Sequence, residues 1–170
     1  NHVARKDKWS LTDRPGYFRI YAQYAKGFEW ARYSLTQKVS GPYSTGTVSL
    51  DLTGLREGDF AGNGIMGRVM YQLGVRKKAD GFWLEMRQGG REGETVVDSL
   101  PVKTDKIYLR TEVTKQGSLL FYYSLDNLEY NRLGPEGVSN FWGFLGIRHA
   151  LCCYNLNKGA TGGYADFYFF

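Results

Sequence analysis

Histidine and cysteine are scarce in this chain, which leaves little material for general acid–base or metal chemistry. Two histidines and two cysteines occur among its 170 residues. His149 stands in a predicted strand, where we interpret it as a structural histidine. Cys152 and Cys153 are adjacent and therefore point to opposite faces of a strand. We interpret them as reduced packing residues, with a strained vicinal disulfide as the alternative.

Long hydrophobic runs and targeting segments are also missing. No apolar run approaches the roughly 20 residues that span a bilayer, so we expect no membrane partner. Nothing in the sequence resembles a signal peptide. The sequence starts at Asn1 without a preceding Met, and we interpret this start as a cut within a longer protein.

A continuous basic face is missing too, although the net charge is +5. Acidic residues are interleaved throughout the chain. The nearest approach to a basic cluster is the Arg-Lys-Lys run at 76–78 beside a predicted turn, which we interpret as a solvated hairpin end. The sequence therefore predicts no nucleic-acid partner.

Aromatic residues and glycines, by contrast, are abundant. Aromatic residues make up 16% of the chain, which also has 22 glycines. Residues 17–22 and 46–53 alternate with a period of two, which predicts half-buried strands. No long stretch keeps the apolar spacing of a helix.

About eleven short strands with glycine-rich joints predict an all-β fold. We expect a two-sheet antiparallel β-sandwich of the jelly-roll or concanavalin-like type. No internal repeat, low-complexity tract or linker is visible. Residues 1–170 are therefore expected to form a single domain.

The segment from Trp9 to Tyr17 carries a recognisable motif, Trp-Ser-Leu-Thr-Asp-Arg-Pro-Gly-Tyr. It resembles the β-sandwich domain found C-terminal to the catalytic propeller of family 43 glycoside hydrolases, the β-xylosidases and arabinofuranosidases. Some of these domains are classed as carbohydrate-binding module family 91. Further matches occur in order along the chain, at residues 1–2 before this motif and at 31–37, 58–62, 73–75, 108–110, 123–127 and 162–167 after it.

Two positions depart from the family pattern. Tyr33 stands where the family usually has Asn, which adds a stacking group. Asn127 replaces the common turn glycine, a change that a left-handed turn tolerates.

The resemblance implies a binding or accessory domain taken from a longer glycoside hydrolase. The implied ligand is xylan, a xylo-oligosaccharide or a related plant β-glycan. The implied partner is a catalytic glycoside hydrolase domain in the same chain. An extracellular or periplasmic location is expected, with the cytoplasm as the alternative because some relatives act on oligosaccharides inside the cell.

Calcium is the one cofactor to consider. Jelly-roll sugar-binding domains often hold a structural Ca²⁺ near both chain ends, and Asp166 is the natural carboxylate donor there. One carboxylate is weak support, since Ca²⁺ takes about six to eight oxygen ligands. The alternative is that Asp166 accepts hydrogen bonds from backbone N–H groups.

Sugar recognition needs aromatic faces beside planar hydrogen-bonding groups, and three surfaces offer them. The first consists of Trp83 and Glu85 on one predicted strand and Tyr108 and Arg110 on another. These residues make a groove if both polar sides share one sheet surface. The alternative is a solvated sheet face with cross-strand ion pairs.

The second candidate surface is the loop region around Trp30, Arg32 and Tyr33, with Gln37 nearby. Asn63 stands between two glycines, and we assign it either to the rim of this surface or to a turn. The alternative for Trp30 is a core position at the edge of the sandwich.

The third candidate surface is the segment 141–146, which contains Trp142 and Phe144. The resemblance implies that a Phe-bearing loop of this domain reaches into the active site of the catalytic propeller. Phe144 is the best match for that residue. The alternative is a buried strand start.

Catalytic carboxylates do not have the required pattern. Sandwich-fold retaining glycosidases carry Glu-x-Asp-x-x-Glu on one strand, with acid and nucleophile about 5–5.5 Å apart. The nearest approach here starts at Glu57 and Asp59, but Gly62 takes the place of the last Glu. The segment 92–94 is interpreted as a charged loop.

We therefore predict a non-catalytic carbohydrate-binding module rather than an enzyme. The alternative is a structural accessory domain that docks on the catalytic propeller and completes its pocket without binding polysaccharide on its own. A standalone glycosidase has only fold analogy in its favour.

Overall fold

The computed structural model of the protein describes residues 5–41, 43–139 and 146–169. Within these ranges the chain forms strands, turns and two short 3₁₀ helices, at Lys6–Lys8 and Phe28–Trp30. The strands are β1 (Trp9–Ser10), β2 (Phe18–Tyr21), β3 (Gln23–Tyr24), β4 (Leu35–Lys38), β5 (Ser44–Asp51), β6 (Asp59–Met66), β7 (Met70–Lys78), β8 (Gly81–Gly90), β9 (Gly93–Val102), β10 (Lys106–Val113), β11 (Ser118–Ser124), β12 (Asn131–Arg132), β13 (Gly137–Val138), β14 (Arg148–Asn155) and β15 (Tyr164–Tyr168). Among the described residues, no helix has the length and apolar character needed to cross a membrane.

The strands form two sheets. Sheet A has the order β1-β2-β15-β5-β10-β11-β12, and β13 also pairs with β11. Sheet B has the order β3-β14-β6-β7-β8-β9, and β4 also pairs with β14. Within the described part of the chain the pairs are antiparallel, except that β3 runs parallel to β14. The predicted all-β, two-sheet sandwich is confirmed.

Alternating apolar side chains fill the space between the sheets. Val48, Leu50 and Leu52 from the β5 region and Leu84 and Met86 of β8 are fully buried there. Their sequence neighbours point the other way, as the period-two pattern predicts. Each such side chain contributes about 1.5–3 kcal/mol to stability through its removal from water.

Polar side chains also connect the two sheets. Nε2 of His149 lies 2.9 Å from Ser44 Oγ, and its Nδ1 lies 2.9 Å from Thr111 Oγ1. Burial lowers the pKa of His149, so the ring is neutral at neutral pH. The interpretation of His149 as a structural histidine is confirmed.

Asn63 belongs to the same interior, so its predicted place on a binding rim or in a turn is wrong. β6 carries Asn63 into the core, where Nδ2 donates to the carbonyl oxygen of Gly46 at 2.9 Å. The flanking glycines serve close strand packing instead of a turn. A Cβ on Gly62 would lie 2.3 Å from the carbonyl oxygen of Leu73 on β7.

The two cysteines are free and buried, in agreement with the interpretation that they are reduced packing residues. Cys153 faces the core between the sheets, whereas Cys152 packs on the outer side of sheet B. Burial raises the pKa of both thiols, which suppresses the reactive thiolate form.

Candidate functional site

The first predicted surface is divided between the two sheets. Trp83 and Glu85 belong to β8 in sheet B, whereas Tyr108 and Arg110 belong to β10 in sheet A. Their sequence neighbours fill the shared core, so the two pairs face away from each other on opposite sides of the sandwich. The predicted groove that combines all four residues is therefore wrong. Alternation gives each strand an outward side but does not say which sheet the strand joins.

Both halves of the divided surface are engaged by contacts within the chain. Nε1 of Trp83 donates to Asp80 Oδ1 at 3.0 Å, and the Lys78 ammonium lies 4.3 Å from the indole centre. The Arg110 guanidinium lies 3.6 Å from the ring centre of Tyr130. A glycan would have to displace these contacts to use either group.

The third predicted surface lies outside the described residues. Neither Trp142 nor Phe144 belongs to the ranges 5–41, 43–139 and 146–169. Their roles therefore stay predictions.

The second predicted surface forms an open cavity of about 490 Å³. Trp30 is 43% exposed, so its alternative assignment to the core is wrong. Gln37 is exposed on β4 and is not among the residues that line this cavity. The lining consists of three predicted residues and nine others: Trp30, Arg32, Tyr33, Arg5, Lys8, Gln23, Tyr24, Ala25, Lys26, Ala31, Cys153 and Tyr154.

A short 3₁₀ helix presents Trp30 by burying the aromatic residue two positions before it. Phe28 is fully buried against the outer side of sheet B, in one cluster with Phe60, Cys152 and Tyr154. Its burial holds the helix on the sheet and leaves the Trp30 side chain partly in solvent. Phe28 thus anchors the helix, and Trp30 stays exposed.

Glu94 of β9 fastens this helix from the sheet side. One carboxylate oxygen accepts the backbone N–H of Phe28 and, at 2.8 Å, Nε2 of Gln72. The other accepts the hydroxyl of Tyr154 at 3.1 Å and Nε of Arg87 at 3.3 Å. The Glu94 side chain is 3% exposed. Burial raises the pKa of Tyr154, so its hydroxyl stays protonated and can donate.

Over residues 1–170, the chain matches the family model described as the β-xylosidase C-terminal concanavalin A-like domain. The chain belongs to this family. It is 29% identical to a β-xylosidase of Formosa agariphila, over 98% of this chain and 31% of that protein. It is 30% identical to a putative β-xylosidase of Xylanibacter ruminicola, over 87% of this chain and 27% of that protein. The chain thus spans less than a third of either of these curated relatives.

Solved structures of GH43 proteins contain the same domain. A bifunctional GH43-CE of Bacteroides eggerthii matches with a TM-score of 0.88 and 34% identity, over 95% of this chain and 21% of that one. A GH43 glycoside hydrolase engineered for both endo-xylanase and exo-arabinofuranosidase activity matches with a TM-score of 0.85 and 25% identity, over 95% of this chain and 35% of that one. The predicted resemblance to family 43 is confirmed, whereas membership of carbohydrate-binding module family 91 stays a prediction.

Within this β-xylosidase C-terminal domain, an apolar groove adjoins the cavity. Its volume is about 460 Å³, and it is lined by Trp9, Leu11, Phe18, Tyr33 and Leu35 together with Arg32 and Ser34. Leu11 is 59% exposed and Leu35 is 43% exposed. Since Tyr33 lines both spaces, the cavity and the groove share a wall. Contiguous exposed apolar surface of this kind is typical of interaction sites.

The surroundings of Asp166 do not fit calcium. Its carboxylate accepts hydrogen bonds from Arg19 at 2.7 and 2.8 Å and from Arg14 at 3.1 Å. The Asp166 side chain is 3% exposed, so two guanidinium groups already neutralise a buried carboxylate. In the ranges that the structure describes, no three His, Cys, Asp or Glu side chains are grouped so as to hold a metal ion. The alternative prediction, that Asp166 accepts hydrogen bonds from backbone N–H groups, is also wrong, because arginine side chains are the donors.

Two buried carboxylates of sheet B, those of Glu85 and Glu94, are paired with cations. The Glu85 carboxylate accepts a hydrogen bond from Arg87 at 2.7 Å and forms an ion pair with the Lys78 ammonium at 3.0 Å. Arg87 also contacts Glu94. The family is the non-catalytic C-terminal part of GH43 enzymes. The ion pairs of Glu85 and Glu94 are therefore suited to a structural role, as rigid support for a binding surface.

Sequence reasoning missed most of the residues that line the cavity, among them Arg5, Lys8, Gln23, Tyr24 and Lys26. β3 brings Tyr24 to the site by pairing in parallel with β14, and the first 3₁₀ helix carries Lys8. A concentration of cations at positions 5, 6 and 8 was visible in the sequence. Nothing in it indicated that this segment would fold beside Trp30.

Proposed function

We propose that the domain binds xylan or a related plant β-glycan, without catalysis, in the cavity lined by Trp30, Arg32 and Tyr33. The observation that carries the proposal is the Trp30 indole, 43% exposed in a cavity of about 490 Å³. Small-molecule sites typically have volumes of roughly 300–1,000 Å³. The names of the β-xylosidase relatives support a xylose-based glycan as the ligand.

The lining chemistry suits a pyranose. The flat face of an indole can cover the axial C–H bonds of the sugar ring, and removal of both surfaces from water is favourable. Arg32 and Gln23 carry N–H donors for the hydroxyl groups, and the Gln23 side-chain carbonyl can accept from them. Because the cavity is open to solvent, the ligand keeps part of its hydration and the affinity is modest.

Isothermal titration calorimetry of the domain with xylohexaose tests this function. We expect saturable binding with a Kd of about 10 μM to 1 mM. Arabinoxylan and mannan oligosaccharides are measured beside it to compare related glycans. Absence of binding to all three would remove the proposal.

The apolar groove supports a second role, in which the domain docks on a catalytic glycoside hydrolase domain of the same polypeptide and completes its pocket. Leu11 and Leu35 expose apolar surface that docking would remove from water. The GH43 relatives are several times longer than this chain, so they have room for such a domain.

Charge placed in the groove tests the docking role in a full-length polypeptide that carries this domain. Leu35→Glu is expected to split one calorimetric unfolding transition into two, because a charge in the interface would have to be desolvated. Leu128→Glu is the matched control, since Leu128 is 82% exposed in the β11–β12 connection. An unchanged single transition in Leu35→Glu would exclude the groove as the docking surface.

A further inference from the structure

The cavity lined by Trp30 carries an excess of positive charge. Four of its lining residues are cationic, namely Arg5, Lys8, Lys26 and Arg32. No aspartate or glutamate is found among the described residues that line it. A neutral glycan offers no charge to balance these groups, so its binding does not account for them.

Part of this charge is neutralised within the chain and part is not. Arg5 and Lys8 share the single carboxylate of Asp7, at 3.5 and 3.1 Å. Lys26 and Arg32 form no ion pair with any residue of the described ranges. Both side chains are exposed and therefore accessible to a ligand.

The aromatic walls strengthen the attraction of these cations for an anion. Tyr24, Trp30 and Tyr33 line the same cavity, and a ligand stacked on them displaces water from beside the charges. Charge pairs near a protein surface interact with an effective dielectric constant of about 20, against about 80 in bulk water. The planar guanidinium of Arg32 can bind a carboxylate through two parallel N–H donors.

We propose that this cavity binds a hexuronic acid unit, with the pyranose ring on Trp30 and the carboxylate at Lys26 and Arg32. The proposal rests on the glycan-binding function proposed above and narrows its ligand to xylans with hexuronic acid branches. A stacking face and unpaired cations in one cavity match the two parts of such a sugar, a pyranose ring and a carboxylate.

Two oligosaccharides that differ in one functional group test this preference by calorimetry. The first is xylotetraose with a single glucuronic acid branch, and the second is the same compound with the branch carboxyl reduced to an alcohol. We expect the acid to bind about 10-fold more tightly than the reduced compound, because a hydrogen bond to a charged carboxylate contributes more binding free energy than one to a neutral hydroxyl. The advantage shrinks at high salt, because the Debye length falls from about 10 Å at 0.1 M to about 3 Å at 1 M.

Charge-removing variants locate the effect. The double variant Lys26→Gln/Arg32→Gln is expected to bind the two oligosaccharides with equal affinity, because the preference for the acid depends on these two cations. Lys115→Gln is the matched control, because Lys115 is an exposed cation in the β10–β11 turn, outside the cavity lining. It should keep the full preference for the acid.

The outcomes separate this proposal from the general one. Equal affinity of the wild-type domain for the two oligosaccharides overturns the acid preference and leaves glycan binding intact. Absence of binding to either, and to xylohexaose, overturns glycan binding itself. A preference that persists in the double variant places the carboxylate elsewhere and also overturns the proposal.

Discussion

Replacing Trp30 with alanine is expected to weaken xylohexaose binding at least about 30-fold, since loss of a central aromatic anchor typically costs about 2 kcal/mol or more of binding free energy. The indole is the largest flat surface in the cavity lining. The fold should tolerate the change, because Trp30 is 43% exposed and Phe28 provides the buried anchor of the same helix. Calorimetry measures the affinity, and urea unfolding confirms that the variant is folded.

Trp83→Ala is the matched control for this prediction. Trp83 lies on the outer side of β8, where its indole contacts Asp80 and Lys78 rather than the cavity. Its loss should change the affinity less than about twofold. A large loss in Trp83→Ala together with full binding in Trp30→Ala would move the site to the surface around Trp83 on β8.

The second large effect is expected from Glu94→Ala, which should lower the free energy of unfolding by about 3–5 kcal/mol. The change removes the acceptor shared by Phe28, Gln72, Tyr154 and Arg87. It also leaves the buried Arg87 paired, among the described residues, with Glu85 alone, so part of its positive charge is no longer compensated. Urea denaturation measures the loss.

Glu92→Ala is the control for removal of a nearby charge, because Glu92 lies in the turn between β8 and β9, two positions before Glu94. Glu92 is exposed, so its loss should change stability by less than about 0.5 kcal/mol. Glu94→Gln keeps the shape and one acceptor oxygen, and it should fall between the two. A loss below about 1 kcal/mol in Glu94→Ala would contradict the role assigned to this carboxylate in holding the helix of Trp30.

Strand periodicity predicted the core of the sandwich well, because side-chain alternation is a local property. Val48, Leu50 and Leu52 point inward as their spacing predicts. The assignment of strands to sheets depends on long-range pairing, which local patterns do not contain. For that reason the sequence allows Trp83 and Tyr108 to share one surface, although they lie on opposite faces of the sandwich.

The candidate site was predictable only in part. The run from Trp30 to Tyr33 is contiguous, so its rings and guanidinium could be recognised together. Arg5 and Lys8 reach the same cavity from a distant segment, and Glu94 supports it from 64 positions beyond Trp30 in the sequence. The prediction for Asn63 was wrong because glycines occur where two strands approach closely as well as in turns.

The indole N–H signals in a ¹⁵N–¹H NMR titration with xylohexaose test the central claim most directly. The chain has four tryptophans, so each signal can be assigned with a single Trp→Phe variant. We predict that the Trp30 signal moves saturably, with the Kd found by calorimetry, while the Trp83 signal stays in place. A Trp30 signal that does not move at a saturating concentration of the oligosaccharide would contradict glycan binding in this cavity.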